Sequence, residues 1–326
     1  MSLSTKLTKS LGITHPVLLA PMDVVADARL TAAVSAAGGL GILGGGYGDE
    51  QWLSRELDAL AKASSRFGVG FITWNMAKQP KLLDLALERR PAAIMLSFGE
   101  PRPFVDRIKR TGAKLICQVQ TLALAQDAIA AGADILVAQG AEAGGHGMSR
   151  GTMALVPEIV DAVADVPVVA AGGIADGRGL AAALMLGASG VLMGTRFYAT
   201  PEAAVAVKAK NRVINASGDG SVRSIVFDIS RCNVWPGSFT GRCLRNAHAD
   251  RWLGREVELL RDEAALSRYA AARRDEDFDT AAVIAGEASG LVREISPAAE
   301  IVEHMVRDAR ALLARGAALA GTTSRQ

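Results

Sequence analysis

The feature that most constrains the fold of this chain is a repeat of short apolar runs, each followed by a helical pattern, over about residues 13–200. Eight of the runs have the length and the apolar or β-branched composition of buried strands. They are residues 17–20, 40–43, 67–71, 93–96, 114–119, 135–138, 168–170 and 190–193. Strands that alternate with helices are typical of a parallel sheet, and eight such units predict an α/β fold of the TIM (β/α)8 barrel type.

The helix that should close such a barrel is delayed. Residues 201–290 are richer in charged side chains and contain Trp235 and Trp252, and a strongly amphipathic helical pattern returns only at residues 297–314. We therefore predict a barrel domain of residues 1–200 and 291–326, with a mostly helical subdomain of residues 201–290 inserted between strand eight and the closing helix. The alternative is an independent helical domain at the C-terminus.

Composition excludes several classes of protein. Half of the residues are hydrophobic and 21% are charged, the net charge is only +2, and basic residues form no run, so nucleic acid and acidic membranes are not expected partners. Cys117, Cys232 and Cys243 have no metal-ligand spacing, so we expect no metal site and a reducing compartment. The chain has no apolar segment of signal-peptide or membrane-spanning length. We expect a cytoplasmic protein.

A glycine-rich loop with a histidine follows the sixth predicted strand. It has the sequence QGAEAGGHGM at residues 139–148. Glycines let a backbone approach a ligand closely, and His146 can titrate near neutral pH, which makes it a candidate general base. Glu142 is expected either to orient His146 or to cap a turn. The alternative is that His146 is a solvated loop residue without a catalytic role.

Two further glycine turns follow strands seven and eight, where TIM barrels often bind a phosphate group. They are Ala171-Gly172-Gly173 and Gly194-Thr195-Arg196. Backbone N–H groups of both turns, the Thr195 hydroxyl and the charge of Arg196 would suit an anion. The alternative is that the glycines only form tight turns, but their occurrence after two adjacent strands favours a phosphate-bearing ligand.

Other strand ends offer groups for a planar ligand. Met22 and Trp74 could cover a ring, and the amides of Gln118 and Gln139 could hydrogen-bond to its heteroatoms. Taken singly, Met22 and Trp74 fit ordinary packing equally well. Asp23 is better explained as an acid near a helix N-terminus than as a catalyst.

These motifs together resemble the nitronate monooxygenases, formerly called 2-nitropropane dioxygenases, a family of FMN-dependent TIM-barrel enzymes. The matching stretches are Ala20-Pro21-Met22, AAVSAAGGLGILGGGY at 32–47, LSFGEP at 96–101, VAQGAEAGGHG at 137–147, GTMALVPEIVDAV at 151–163, VVAAGGIADGRG at 168–179 and LMGTRF at 192–197. The segment with Trp235-Pro236 and Gly241-Arg242 is also similar to that family.

The resemblance implies that His146 is the catalytic histidine, that Gln139 and Gly144 contact FMN, and that Met22 lies beside the flavin through its backbone. It also implies that Gly173 and residues 192–195 hold the phosphate side of FMN. The complete set of expected cofactor-binding residues is Pro21, Met22, Gly70, Gln118, Gln139, Gly144, Gly145, Ala171, Gly172, Gly173, Leu192, Met193, Gly194 and Thr195. One position departs from the family, which usually has an asparagine that bonds to the flavin where this chain has Gly70.

The leading hypothesis is an FMN-dependent oxidation of alkyl nitronates, and also of nitroalkanes, by O2 to a carbonyl compound and nitrite. The alternative is an NAD(P)H-dependent FMN reductase of quinones or enoyl thioesters, because enoyl-acyl-carrier-protein reductase II and some NADH:quinone reductases share these motifs. A third hypothesis is a flavin-free barrel. The expected partners are a small nitronate and O2, with a homodimer as one candidate assembly.

Overall fold

The computed structural model describes residues 2–63 and 66–319. Its strands are β1 (Val17–Leu19), β2 (Gly41–Gly44), β3 (Phe67–Ile72), β4 (Ala93–Ser97), β5 (Lys114–Val119), β6 (Ile135–Gln139), β7 (Gly145–Gly147), β8 (Val168–Ala171), β9 (Gly190–Met193), β10 (Ser221–Ser224) and β11 (Thr240–Leu244). Eight of them form one parallel sheet in the order β1-β9-β8-β6-β5-β4-β3-β2. A parallel bridge between Leu18 and Leu40 joins its two edges. The predicted TIM barrel is confirmed, and all eight predicted strands occur near their predicted positions.

The α-helices are α1 (Lys6–Leu11), α2 (Ala28–Ala36), α3 (Glu50–Lys62), α4 (Thr73–Met76), α5 (Lys81–Glu88), α6 (Arg102–Arg110), α7 (Leu122–Ala131), α8 (Thr152–Ala162), α9 (Gly177–Met185), α10 (Thr195–Tyr198), α11 (Val207–Ile214), α12 (Val226–Ser230), α13 (Ala247–Trp252), α14 (Glu256–Leu259), α15 (Glu263–Arg274) and α16 (Ala298–Leu319). Short 3₁₀ helices lie at Gly218–Gly220 and Glu287–Leu291. Within the described part of the chain, no helix is both long and apolar enough to cross a membrane.

Local sequence signals explain where several barrel helices begin and end. Asp27 and Asp176 cap α2 and α9 by accepting hydrogen bonds from backbone N–H groups of the first turn. Gly132 ends α7 in the left-handed conformation, with φ at 95°, which a residue without Cβ adopts readily. Polar caps and glycine ends therefore divide the chain into the repeating strand and helix units.

The late helix α16 occupies the eighth position of the outer ring. It packs against α9 on one side and α2 on the other, so it completes the circle of helices around the strands. Gly177 allows the close approach of α9, because a Cβ at this position would lie 2.7 Å from the backbone nitrogen of Ala309. The closing helix is therefore found where the sequence pattern predicts it.

The barrel interior is filled by apolar side chains. Leu18, Ile42, Met95, Ile116 and Val169 point from alternate strand positions into one buried cluster. Leu7 and Leu11 of α1 belong to the same cluster, so this helix packs across the end of the barrel where the strands begin. The opposite end, where the strands finish, is left to the loops that carry chemistry in this fold.

The residues between β9 and α16, called the late segment below, contribute two strands to a small antiparallel sheet that the sequence pattern did not predict. Its order is β10-β11-β7, so a hairpin of the late segment pairs with the histidine loop that follows β6. In this pairing Gly241 lies opposite His146. The segment therefore contacts the loop at the open end of the barrel, while its treatment as a separate subdomain of residues 201–290 stays a prediction.

Candidate active site

A cavity of about 350 Å³ lies at the carboxyl ends of the barrel strands. The loops of the barrel form one part of its wall, and Arg231, Trp235, Tyr269 and Arg273 from the late segment form another. His146 and every residue expected to bind the cofactor line this one cavity: Pro21, Met22, Gly70, Gln118, Gln139, Gly144, Gly145, Ala171, Gly172, Gly173, Leu192, Met193, Gly194 and Thr195. The structure thus brings the whole predicted set together, and the role of each residue stays a prediction.

His146 is held by a buried carboxylate from helix α12. Its Nε2 lies 3.0 Å from both Oδ1 and Oδ2 of Asp228. Because an ionised carboxylate only accepts hydrogen bonds, Nε2 carries the proton and Nδ1 of the neutral ring keeps a lone pair. Burial lowers the pKa of His146, and the hydrogen bond to Asp228 partly offsets that effect. The imidazole is therefore neutral near pH 7 and can accept a proton.

The indole of Trp235 covers one face of this imidazole. The two ring centroids are 3.4 Å apart, and the ring planes differ by 7°. The indole N–H of Trp235 donates to the hydroxyl oxygen of Tyr47 at 3.0 Å, while Phe98 and Trp74 contact the indole edge-on. Trp74 was expected to cover a ligand ring, but it packs behind Trp235 and is not among the described residues that line the cavity.

Three glutamine side chains connect the strand ends to the histidine loop. The Oε1 of Gln139 accepts hydrogen bonds from Nε2 of Gln118 at 3.0 Å and from Nε2 of Gln120 at 2.8 Å. The Nε2 of Gln139 donates to the backbone carbonyl of His146 at 3.0 Å. These bonds fix the Gln139 amide and leave the carbonyl oxygen of Gln118, at the cavity wall, outside the network.

The carbonyl groups of the histidine loop are held by two arginines of the small sheet. Arg223 donates to the carbonyls of Ala141 and Ala143 at 3.0 and 3.1 Å, and Arg242 donates to Ala141 at 2.9 Å. Burial lowers the pKa of Arg223 to about 10, so this guanidinium stays charged at neutral pH. Both arginines therefore fix the loop that carries His146.

The charged groups of Glu142 and Arg196 are bound by other parts of the protein, and of the two only Glu142 lines the cavity. Both carboxylate oxygens of Glu142 accept from the backbone N–H of Thr152 at 3.0 Å, which caps the start of α8 rather than orienting His146. Arg196 donates to the carbonyl of Glu294 and to the hydroxyl of Ser296. The expectation that Arg196 adds charge to an anion site is therefore wrong, because its guanidinium anchors the segment before α16.

The two glycine turns form a cradle made of backbone groups and the Thr195 hydroxyl. Gly172 and Gly173 have φ values of 104° and 73°, a conformation that favours glycine. Gly194 precedes α10 without a side-chain cap, and the first N–H groups of a helix have no acceptor within the helix. The Thr195 hydroxyl accepts from the backbone N–H of Gly286 at 2.9 Å and keeps its own proton to donate. The cradle thus offers several donors to one anionic group.

Comparison with known proteins decides the family. The profile of the family described as nitronate monooxygenase matches residues 4–80 and 72–308. The chain belongs to the nitronate monooxygenase family. The nitronate monooxygenase npaC of Metarhizium robertsii is 38% identical over 345 residues, which cover 94% of this chain and 95% of that protein. The predicted family and the predicted class of enzyme, an oxidoreductase, are confirmed.

Solved structures share the fold of the whole chain. The structure of FabK from Thermotoga maritima superimposes with a TM-score of 0.86 and 31% identity, and the match covers 98% of this chain and 100% of that one. A nitroalkane oxidase from Streptomyces ansochromogenes superimposes with a TM-score of 0.80 and 26% identity over 96% of this chain and 100% of that one. The barrel and the late segment are thus both shared with known members of the superfamily.

Within this member of the nitronate monooxygenase family, Gly70 lies against Pro21. A Cβ at position 70 would be 2.3 Å from the Cβ of Pro21. The asparagine usual for the family would therefore require the loop after β1 to shift. At this position the chain offers a ligand only backbone, as the sequence analysis expected.

Sequence reasoning missed the partners of His146. Asp228, Arg231 and the stacking role of Trp235 come from a segment assigned only to a subdomain, more than eighty positions along the chain. A weak signal exists, since Asp228 is the single acid in the apolar run Ile225-Val226-Phe227-Asp228-Ile229. Gln120 could also have been found, because it shares a face of the extended chain with Gln118.

Proposed function

We propose that this nitronate monooxygenase family member oxidises alkyl nitronates, and neutral nitroalkanes, with O2 to a carbonyl compound and nitrite, with FMN as its cofactor. The observation that carries the proposal is the imidazole of His146, which lines one cavity with every expected cofactor residue and whose Nε2 is hydrogen-bonded to Asp228. Cytoplasmic location and use of O2 belong to the same proposal.

The residues of the cavity fit FMN. A volume of about 350 Å³ is in the range of ligand pockets. The N–H groups near Gly173, Gly194 and Thr195 would hold the phosphate, and the amides of Gln118 and Gln139 would bond to the polar edge of the ring. When bound, FMN would take electrons from the substrate and pass them to oxygen.

The protein's own part in the reaction is to place the substrate and to move one proton. A neutral nitroalkane loses its α-proton to Nδ1 of His146, and the C–H electron pair moves into the nitro group to form the nitronate. A nitronate supplied as such does not need this step. Met22, Phe71 and Phe98 give the cavity apolar walls, which suit small alkyl groups.

Anaerobic mixing of the purified protein with ethyl nitronate or with NADH tests the proposed function. Ethyl nitronate should bleach the flavin, and NADH should not. Rapid bleaching by NADH without bleaching by nitronate would instead identify a reductase of quinones or enoyl thioesters. A protein that stays colourless and binds no added FMN would overturn both.

The variant His146→Asn separates the two substrates. It should still oxidise ethyl nitronate, because that substrate needs no base, and it should lose about 10²- to 10⁴-fold on neutral nitroethane. An unchanged rate on neutral nitroethane would show that His146 is not the base.

A further inference from the structure

Asp228 is fixed by its surroundings. Besides its two contacts with His146, its Oδ1 lies 3.3 Å from Nη2 of Arg231, whose Nε donates to the carbonyl of Phe227 at 3.0 Å. Asp228 lies on α12, and the last residue of that helix, Ser230, links it to α13. The Ser230 hydroxyl donates to the carbonyl of Val226 within α12 and lies 2.7 Å from Nε2 of His248 on α13. The carboxylate therefore has little freedom to leave the imidazole.

Asp228 acts on the histidine and not on the cavity. Its side chain is buried, and it is absent from the described residues that line the cavity, whereas His146 and Arg231 are present. The charged groups that act on the imidazole are Asp228, Arg231 and Arg223, and of these only Asp228 is negative. A buried carboxylate is costly unless it is paired, and Asp228 is paired with both Arg231 and Nε2 of His146.

We infer that Asp228 is the positioning residue of the base: its carboxylate holds His146 in the tautomer with the proton on Nε2 and the lone pair on Nδ1. The late segment therefore supplies part of the proton-transfer apparatus, and the barrel supplies the base itself. The kinetic part of this inference rests on the proposed function, whereas the tautomer follows from the geometry alone.

The tautomer can be measured on the unaltered protein. In a long-range ¹H–¹⁵N spectrum of the flavin-loaded enzyme at pH 7.5, His146, assigned by its loss in His146→Asn, should show a protonated Nε2 and an unprotonated Nδ1. A proton on Nδ1, or a charged ring, would overturn the inference. This readout does not depend on which substrate the enzyme oxidises.

Kinetics of Asp228→Asn test the consequence. An amide at this position can donate to Nε2 and so favours the wrong tautomer, and kcat/KM for neutral nitroethane should fall about 10²- to 10⁴-fold. The acid limb of its pH profile should move to lower pH, because the carboxylate raises the pKa of His146. The rate of ethyl nitronate oxidation should change less than about threefold. That result would also show that the variant is folded and has bound flavin.

The matched control is Asp250→Asn, which removes an exposed carboxylate paired with Arg245 in the same segment. It should leave both substrates and the pH profile unchanged. An equal loss on nitroethane and nitronate in Asp228→Asn, or an unchanged pH profile, would contradict the positioning role. If the unaltered enzyme oxidises neither substrate, the proposed function fails, and the tautomer spectrum still decides the inference.

Discussion

The indole of Trp235 and the imidazole of His146 lie parallel, with 3.4 Å between their centroids. One ring comes from the late segment, and the other comes from the loop after β6 of the barrel. Because the indole covers one face and Asp228 binds Nε2, the opposite face and the edge that carries Nδ1 are the parts of the ring left for a substrate. The late segment therefore decides which part of the base a substrate can reach.

Removal of the Trp235 ring should raise the pKa of His146 and loosen the position of its imidazole. Burial is the main cause of the lowered pKa of His146, so Trp235→Ala should shift the acid limb of kcat/KM for neutral nitroethane to higher pH. The lost ring contact is worth about 0.5–1.5 kcal/mol, which corresponds to a loss of up to about tenfold in kcat/KM. Steady-state rates between pH 5 and pH 9 measure both effects.

Trp235→Phe is the control for this prediction, since it keeps an aromatic ring on the imidazole but loses the hydrogen bond to Tyr47. It should retain most of the activity on neutral nitroethane. Its acid limb should shift less than that of Trp235→Ala. An acid limb that moves to lower pH in Trp235→Ala would show that burial by the indole is not what lowers the pKa of His146.

Loss of the Arg223 guanidinium should loosen the histidine loop. Arg223→Met leaves the carbonyls of Ala141 and Ala143 with fewer donors, and each charged hydrogen bond is worth about 1.5–3 kcal/mol. We expect the melting temperature to fall by several degrees and the Kd for FMN to rise about tenfold. Thermal denaturation and flavin fluorescence titration measure these changes.

Arg245→Met serves as the comparison, because Arg245 forms an exposed ion pair with Asp250 in the same segment. Exposed pairs contribute about 0–1 kcal/mol, so both quantities should stay nearly constant. Equal behaviour of the two variants would mean that Arg223 does not hold the loop.

A methyl group at Gly144 should disturb the cofactor side of the cavity. The Cβ of Gly144→Ala would lie 2.7 Å from the backbone carbon of Ala285 and from the nitrogen of Gly286, and backbone cannot move aside as a flexible side chain can. Gly286 also donates to Thr195, so the strain should reach the phosphate cradle. We expect a lower melting temperature and an FMN affinity reduced at least about tenfold.

Gly237→Ala provides the matched control, because a Cβ at Gly237 would meet no heavy atom of the described residues within 4 Å. It should bind FMN like the unaltered protein. Full FMN affinity in Gly144→Ala would show that the loop and the 284–288 segment are not in the close contact described.

His248 should make the stability of the enzyme fall in mild acid. Burial lowers the pKa of His248 to about 4 from an ordinary value of 6.5, so protons bind more readily to the unfolded chain between these values. The contribution of neutral His248 to the free energy of unfolding is complete above pH 6.5. It is lost as the pH falls toward 4, and the loss is on the order of 3 kcal/mol. Melting temperatures at pH 7.5 and pH 5.0 measure the loss.

In His248→Gln the difference between the two pH values should be smaller, since the titrating group is gone. His304→Gln, which changes an exposed histidine of α16, should leave that difference unaltered. An identical pH dependence in His248→Gln and the unaltered protein would show that His248 does not contribute to acid lability.

The barrel was predictable because its signals are local. Each strand is a short apolar run, each helix begins or ends at a cap such as Asp176 or Gly132, and these features depend only on neighbouring residues. Parallel strands place their carboxyl ends at one end of the barrel, so Gln118, Gln139 and Gly173 had to meet once the strand count was known.

The sequence by itself therefore determined the barrel, the end at which the cavity lies and the residues that line its barrel side. Only the tertiary structure decided what surrounds His146: Asp228 at Nε2, Trp235 on its face and Arg223 on its loop. These partners lie 77 to 89 positions along the chain from His146, on strand β10, on the short helix α12 and in the loop before β11, none of which has a periodic pattern in the sequence. Pairing, burial and charge act through space, so their effect on the base appears only when the chain is folded.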